Sequence, residues 1–247
     1  MVEHDLPQEL ELPIGYHQLM QGVIYNGLRG EAQYSEFIHD QGYSFGDRQF
    51  RLFTFSLLKG KYRIDKENRK IIFREKVSFE IRSPEVHLLR ILKENFETKG
   101  IRYGNTSFKG VKVLLVDETV EAECLHIKMI TPLVGYETGI SQNKTYYFSP
   151  DEEMFYESVQ TNFLRKYYAY TGVKVMEVPE LIPIKVTEKD KYVTKYKGIY
   201  ITGWLGEYIL KGRRKYLDFL YQTGMGSKNA QGFGMFEIKG VYSGYEE

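Results

Sequence analysis

The side chain best suited to proton transfer near neutral pH is histidine, and the chain has 5. His39 closes the stretch Ala32 to Asp40, which reads as a short helix with Tyr34, Phe37 and Ile38 as its apolar stripe and Gly42 as its C-cap. His39 lies off that stripe in the last turn, where the helix C-terminus favours a cation and lifts an imidazole toward neutrality. This pattern admits a proton-exchanging histidine or a solvated, capping one, and for a lone histidine the second is the more common. Tyr25 sits opposite the apolar face of its own helix, so it is either a surface or a site residue. A third set is Thr223 to Phe236, where Gly224, Gly226, Gly232 and Gly234 bracket a polar run holding Lys228 and Asn229. Glycine tolerates positive φ and close backbone approach, so such a loop can turn N–H groups toward an anion. It follows a helix and precedes a strand, the reverse of the dinucleotide fingerprint, and the Walker lysine spacing is absent.

Other chemistries lack their residues. There is no His-Glu-x-x-His, no cysteine pair and no tight carboxylate cluster for a metal. No nucleophile elbow accompanies a serine. Cys124, the only cysteine, falls mid-strand and excludes an internal disulfide framework.

The elements that must carry these residues read as follows. Pro13 to Arg29 is a helix, with Tyr16, Leu19, Met20, Val23, Ile24 and Leu28 on one face and Gln18, Gln21, Tyr25 and Arg29 on the other. Before it, only Leu10 to Leu12 suggests strand. Gln49 to Leu58 alternates, with Phe50, Leu52 and Thr54 against Arg51, Phe53 and Phe55. Lys59-Gly60-Lys61 reads as a turn and Lys70 to Ile81 as a strand. Ser83-Pro84-Glu85 opens a helix with Ser83 as cap, carried by Val86, Leu89, Leu92 and Phe96. Ile101 to Phe108 and Val111 to Val116 supply strands. From Thr119 the pattern restarts: strand 123–129, a helix opened by the capping box Ser149 to Glu152, a long hairpin of 173–186 against 192–210, a basic helix 211–221 and a strand 233–241. The expected fold is α+β, two tandem ferredoxin-like βαββαβ units spanning residues 1–118 and 119–247, with the glycine-rich loop near the C-terminus.

Net charge is only +1 over 247 residues, but its distribution is uneven. From Lys185 to Lys215 there are nine Lys or Arg and three Asp or Glu, whereas the first eleven residues hold four acids. A basic region on a neutral protein fits a focused phosphate-binding face; a solvated lysine surface has the same composition. No apolar run reaches membrane-spanning length and no signal-peptide layout opens the chain, so a cytoplasmic protein is expected.

Several motifs occur together and in order: Gly22-Val23-Ile24-Tyr25, Phe37-Ile38-His39, Arg51-Leu52-Phe53-Thr54-Phe55-Ser56, Thr131-Pro132-Leu133, and the loop Gly-Met-Gly, five residues, Gly-Phe-Gly. This set resembles the RAMP superfamily of CRISPR-associated RNA-binding proteins, and within it the Cas-six family of repeat-processing endoribonucleases. The resemblance implies a nuclease with no metal and no cofactor. RNA brings its own nucleophile: the 2′-hydroxyl attacks the adjacent phosphate, leaving a 2′,3′-cyclic phosphate and a 5′-hydroxyl. The protein then supplies a base, an acid and positive charge for the transition state. By the same resemblance Tyr25 and His39 match the catalytic tyrosine and histidine, with the acid/base split between them open. Arg51 stands where some members have lysine, keeping the charge with a different donor geometry. Lys228, Asn229, Arg213 and Arg214, with the loop glycines, would hold the repeat RNA. Implied partners are CRISPR repeat RNA and interference-complex proteins, with no membrane and a monomer or homodimer. A non-cleaving guide-RNA-binding RAMP subunit and an interaction protein with no RNA role are the alternative readings.

Overall fold

The computed structural model of the chain describes residues 1–29, 31–139 and 145–243, with the backbone alone for Ala32 and His39. In the first half, β1 (Val2–Pro13), α1 (His17–Gly27), α2 (Ala32–Glu36), β2 (Lys59–Asp65), β3 (Lys70–Phe79), α3 (Val86–Lys99) and β4 (Lys112–Val113) follow one another. Their antiparallel sheet runs β4-β1-β3-β2. In the second half come β5 (Cys124–Met129), α4 (Glu153–Thr171), β6 (Glu180–Lys185), β7 (Glu207–Lys211), α5 (Arg214–Thr223) and β8 (Phe236–Val241). Their sheet runs β6-β7-β5-β8. Both sheets have the same strand order relative to the chain, the fourth strand beside the first, the first beside the third and the third beside the second. This is the order a βαββαβ unit produces, so the fold is α+β with two ferredoxin-like units in tandem.

The first strand differs from expectation. Far from being confined to Leu10–Leu12, β1 has 12 residues and lies in the interior of its sheet. Val2, His4, Leu6, Leu10 and Leu12 are its buried positions. Two features hide that alternation. His4 is polar yet buried, its Nε2 2.9 Å from the Tyr103 hydroxyl and its ring stacked on Phe108. A bulge also shifts the register between Leu6 and Leu10.

The expected strand 49–58 is two short pieces, Arg48–Phe50 and Thr54–Phe55. Leu52 is buried in the core of the second half, while Phe53 and Phe55 are buried in that of the first. A segment apolar on both faces here joins two cores rather than one sheet. Lys59-Gly60-Lys61 is not a turn but part of β2, bulged between Gly60 and Lys61. The residues 192–210 are not one arm of a hairpin. Lys191–Tyr196 pairs with Ile199–Trp204 around the two-residue turn Lys197-Gly198, and β7 follows separately. That hairpin is an insertion between β6 and β7. The cap of α3 is Glu85; Ser83 Oγ accepts its N–H at 3.0 Å and donates to Leu52 O at 2.5 Å. On α3 the core face is Leu88, Ile91, Leu92 and Phe96, whereas Val86 is exposed. No helix among the described residues is long and apolar enough to cross a membrane.

Candidate functional site

α1 supplies the first wall of the site. Its apolar face is buried through Tyr16, Met20, Val23, Ile24 and Leu28. Gln21 and Tyr25, one turn apart on another face, reach a cleft of about 490 Å³ between the two halves. Tyr25 is half-buried, its ring edge-on to Phe53 at 6.0 Å. Burial raises its pKa; the Arg51 charge opposes this and that of Asp40 adds to it. Its helix face is therefore not an open surface: the second half of the chain covers it across the cleft.

The second wall is the segment 48–51. After α2 the chain makes a single π turn, Phe37–Gln41, closed by Gly42 N–H donating to Phe37 O at 2.6 Å. Gly42 has φ +61°, and a Cβ there would lie 2.5 Å from Phe50 O. Arg51 Nε donates to Ile38 O at 3.2 Å, holding the turn that carries His39. The His39 side chain itself lies outside the described residues. Tyr25 and Arg51 line the same cleft.

The glycine-rich loop forms the floor, and most of its known bonds point inward. Met225 N–H donates to Gly234 O, Ser227 N–H to Val134 O and Gly234 N–H to Pro132 O, at 2.8–2.9 Å. Asn229, 7% exposed, donates from Nδ2 to Met225 O and Phe233 O and accepts at Oδ1 from Lys166 Nζ at 2.9 Å. Its amide pins the loop. Lys228 is the loop residue that projects a charge into the cleft, its Nζ 4.7 Å from the Tyr136 ring centroid; burial lowers its pKa. From the other half, α1 grips the loop. Gln21 Nε2 donates to Ala230 O at 2.7 Å, and His17 stacks on Phe233 at 4.5 Å. Burial pushes the His17 pKa down to about 4, so the neutral ring donates from Nδ1 to Gln231 O at 3.1 Å.

Of the residues singled out from sequence, the cleft brings together Tyr25, Arg51, Lys228 and Asn229. Gly224, Gly226, Gly232 and Gly234 shape the loop from inside. Arg213 and Arg214 are not among the lining residues. They lie at the start of α5, about 15 Å of helix away from the loop, and Arg213 pairs with Glu177 at 2.8 Å. The structure adds Arg48, Lys166 and Lys197 to the lining, with Gln21, Tyr136, Asn162 and Tyr196. Lys197 belongs to the basic stretch and comes in on the inserted hairpin, where the Tyr196 hydroxyl donates to Gln21 Oε1. Lys166 had a sequence signal: it continues the apolar stripe Val159, Phe163 of α4 at helical spacing. Arg48 had none. Five cations thus line the cleft, and no Asp or Glu does among the described residues. The described residues also contain no group of three His, Cys, Asp or Glu that could hold a metal.

The family model described as CRISPR associated protein Cas6, C-terminal, matches residues 114–238. The chain is 26% identical over 242 residues to the CRISPR-associated endoribonuclease Cas6 1 of Methanocaldococcus jannaschii, covering 91% of this chain and 86% of that one. It is 24% identical over 246 residues to the CRISPR-associated endoribonuclease Cas6 of Pyrococcus furiosus, covering 97% and 88%. A solved structure of a RAMP protein binding different RNA substrates superposes with a TM-score of 0.77 at 20% identity, covering 96% of this chain and 97% of that one. The family model spans half of the sequence, including the glycine-rich loop that floors the cleft, and the chain belongs to the Cas6 family.

Proposed function

We propose that the protein is a CRISPR RNA-processing endoribonuclease that cuts precursor transcripts within repeats without a metal. The observation that carries this reading is the cleft, whose lining holds five cations, Arg51 among them, beside Tyr25 and no Asp or Glu among the described residues. Such a site attracts a polyanion even on a protein of net charge +1. Two relatives that match nearly the whole chain are named as Cas6 endoribonucleases, which supports the same activity.

In the proposed reaction the RNA backbone lies in the cleft with the scissile phosphate at Arg51. Its guanidinium balances the charge that grows on the non-bridging oxygens as the 2′-hydroxyl attacks. His39, within the turn that Arg51 holds, exchanges the proton of the 2′-oxygen or of the leaving 5′-oxygen. Tyr25, with its pKa raised, stays protonated at neutral pH and donates a hydrogen bond that orients the phosphate or the nucleophile. The products are a 2′,3′-cyclic phosphate and a 5′-hydroxyl. Lys228 contacts the backbone from the loop. The domains are residues 1–118, which carry the reacting groups, and 119–247, which carry the loop.

The test is cleavage of repeat RNA in chelator, with analysis of the product ends. Wild type cuts, and His39→Ala loses most of the rate, about 10²–10⁴-fold. Replacing the 2′-hydroxyl before the scissile phosphate with hydrogen stops cleavage but not binding. A strict magnesium requirement would exclude this chemistry. Tight binding with no product after long incubation would instead favour a non-cleaving guide-RNA-binding subunit.

A further inference from the structure

Lys166 stands apart from the other cations of the cleft. It is 1% exposed, on the face of α4 that packs against the glycine-rich loop. Its ammonium donates to Gly224 O at 2.6 Å and to Asn229 Oδ1 at 2.9 Å. An ammonium has three donors, and both of these partners are neutral. No described carboxylate pairs with it. The charged groups that share its cleft are Arg48 and Arg51 from the segment beside it, Lys197 from the hairpin and Lys228 from the loop. The titratable hydroxyls there are Tyr25, Tyr136 and Tyr196. From α5 the Phe219 ring lies 5.9 Å from its Nζ.

One turn earlier on α4, Asn162 also lines the cleft. Its Nδ2 reaches Ser227 Oγ at 3.4 Å, while its Oδ1 is buried with no donor. A buried cation without a counter-charge and a buried acceptor without a donor are each costly. A ribose–phosphate unit offers both missing partners, phosphate oxygens for the ammonium and a 2′-hydroxyl for the amide oxygen.

We infer that Lys166 is a further phosphate-binding residue of the cleft, with a bound RNA phosphodiester supplying the counter-charge that the protein itself withholds. This rests on the RNA-binding reading above. Burial alone pushes the pKa of Lys166 down to about 7 in the free protein. A bound phosphate raises it again, so above pH 7 binding takes up a proton, and affinity falls by up to about tenfold per pH unit. At lower pH the lysine is already charged and this term vanishes.

The experiment is calorimetric binding of repeat RNA made uncleavable by a 2′-deoxy substitution at the cut site. It is run from about pH 6 to 9 in buffers of different ionisation heat. Wild type is expected to take up close to one proton at about pH 8.5. Lys166→Arg, charged throughout, should bind with no such dependence. Lys166→Met should bind more weakly, with its log Kd against log salt slope reduced by about 0.7, one single-strand phosphate contact. Because burial also lowers the Lys228 pKa, Lys228→Arg is the control and should keep the uptake. If Lys166→Met fails to fold, wild type and Lys166→Arg decide. RNA binding with no proton uptake, or uptake retained in Lys166→Arg, overturns this inference and leaves the nuclease reading standing. Absence of RNA binding by wild type overturns both.

Discussion

At the scale of single residues, the packing of Tyr25 and Arg51 allows chemistry to be separated from structure. The Tyr25 ring packs on Phe53, and the ring survives in Tyr25→Phe. That variant should keep its stability and lose about 10–10²-fold in kcat on repeat RNA, the range expected for one oriented hydrogen bond. Arg51 does two things, presenting charge to the cleft and donating from Nε to Ile38 O. Arg51→Ala removes both and should cost about 10²–10³-fold in kcat. Arg51→Lys restores the charge but not the planar fork, so its rate should fall between those of wild type and Arg51→Ala in single-turnover assays. Equal rates for the lysine and alanine variants would show that charge at this position is not what matters.

At the scale of elements, the site depends on two tight backbone approaches. Gly42 ends the π turn that carries His39 against Phe50 O, at a φ that side chains resist. Gly234, at φ +77°, would place a Cβ 1.9 Å from Met225 O, the carbonyl that accepts from Asn229 Nδ2. Gly234→Ala should therefore destabilise the fold by about 3 kcal/mol, and Gly42→Ala by about 2 kcal/mol. The Gly42→Ala loss should come with a drop in kcat at nearly unchanged RNA affinity, because only the turn moves. Chemical denaturation and cleavage kinetics on the same preparations check both.

At the scale of the whole molecule, the halves are joined by groups that titrate or carry charge. His17 of α1 sits neutral and fully buried against the loop of the other half. Its folded pKa, about 4, is below the unfolded value of 6.5, so the unfolded chain binds the proton first. Its contribution to stability is full above pH 6.5 and is lost as pH falls toward 4, by roughly 3 kcal/mol in all. Urea unfolding at pH 7 and 4.5 should show that drop, and His17→Gln should flatten it. The other whole-molecule property is salt dependence. Several phosphates neutralised in one cleft should make log Kd for RNA rise steeply and linearly with log salt; salt-independent binding would contradict a cationic cleft as the receptor.

Local pattern alone was enough for much of this protein. The apolar stripe of α1, the basic stretch and the bracketed glycines are all statements about neighbours in the chain. They survive folding because periodicity dictates which side chains a helix or strand can bury. What local pattern could not reveal involves partners far away in sequence. Residues 49–58 read as one strand because they alternate, and only the presence of two cores explains why the segment is broken. Most of β1 was hidden because a buried histidine, satisfied by Tyr103, and a bulge between Leu6 and Leu10 break the alternation. Arg213 and Arg214 belong to a basic run yet stay off the cleft, whereas Lys166 reads as one polar residue on an apolar stripe and proves to line it. Tertiary structure decides these cases because charge and burial depend on distance in space. Two halves must close on the glycine-rich loop before Tyr25, Arg51, Lys166 and Lys228 share one cleft.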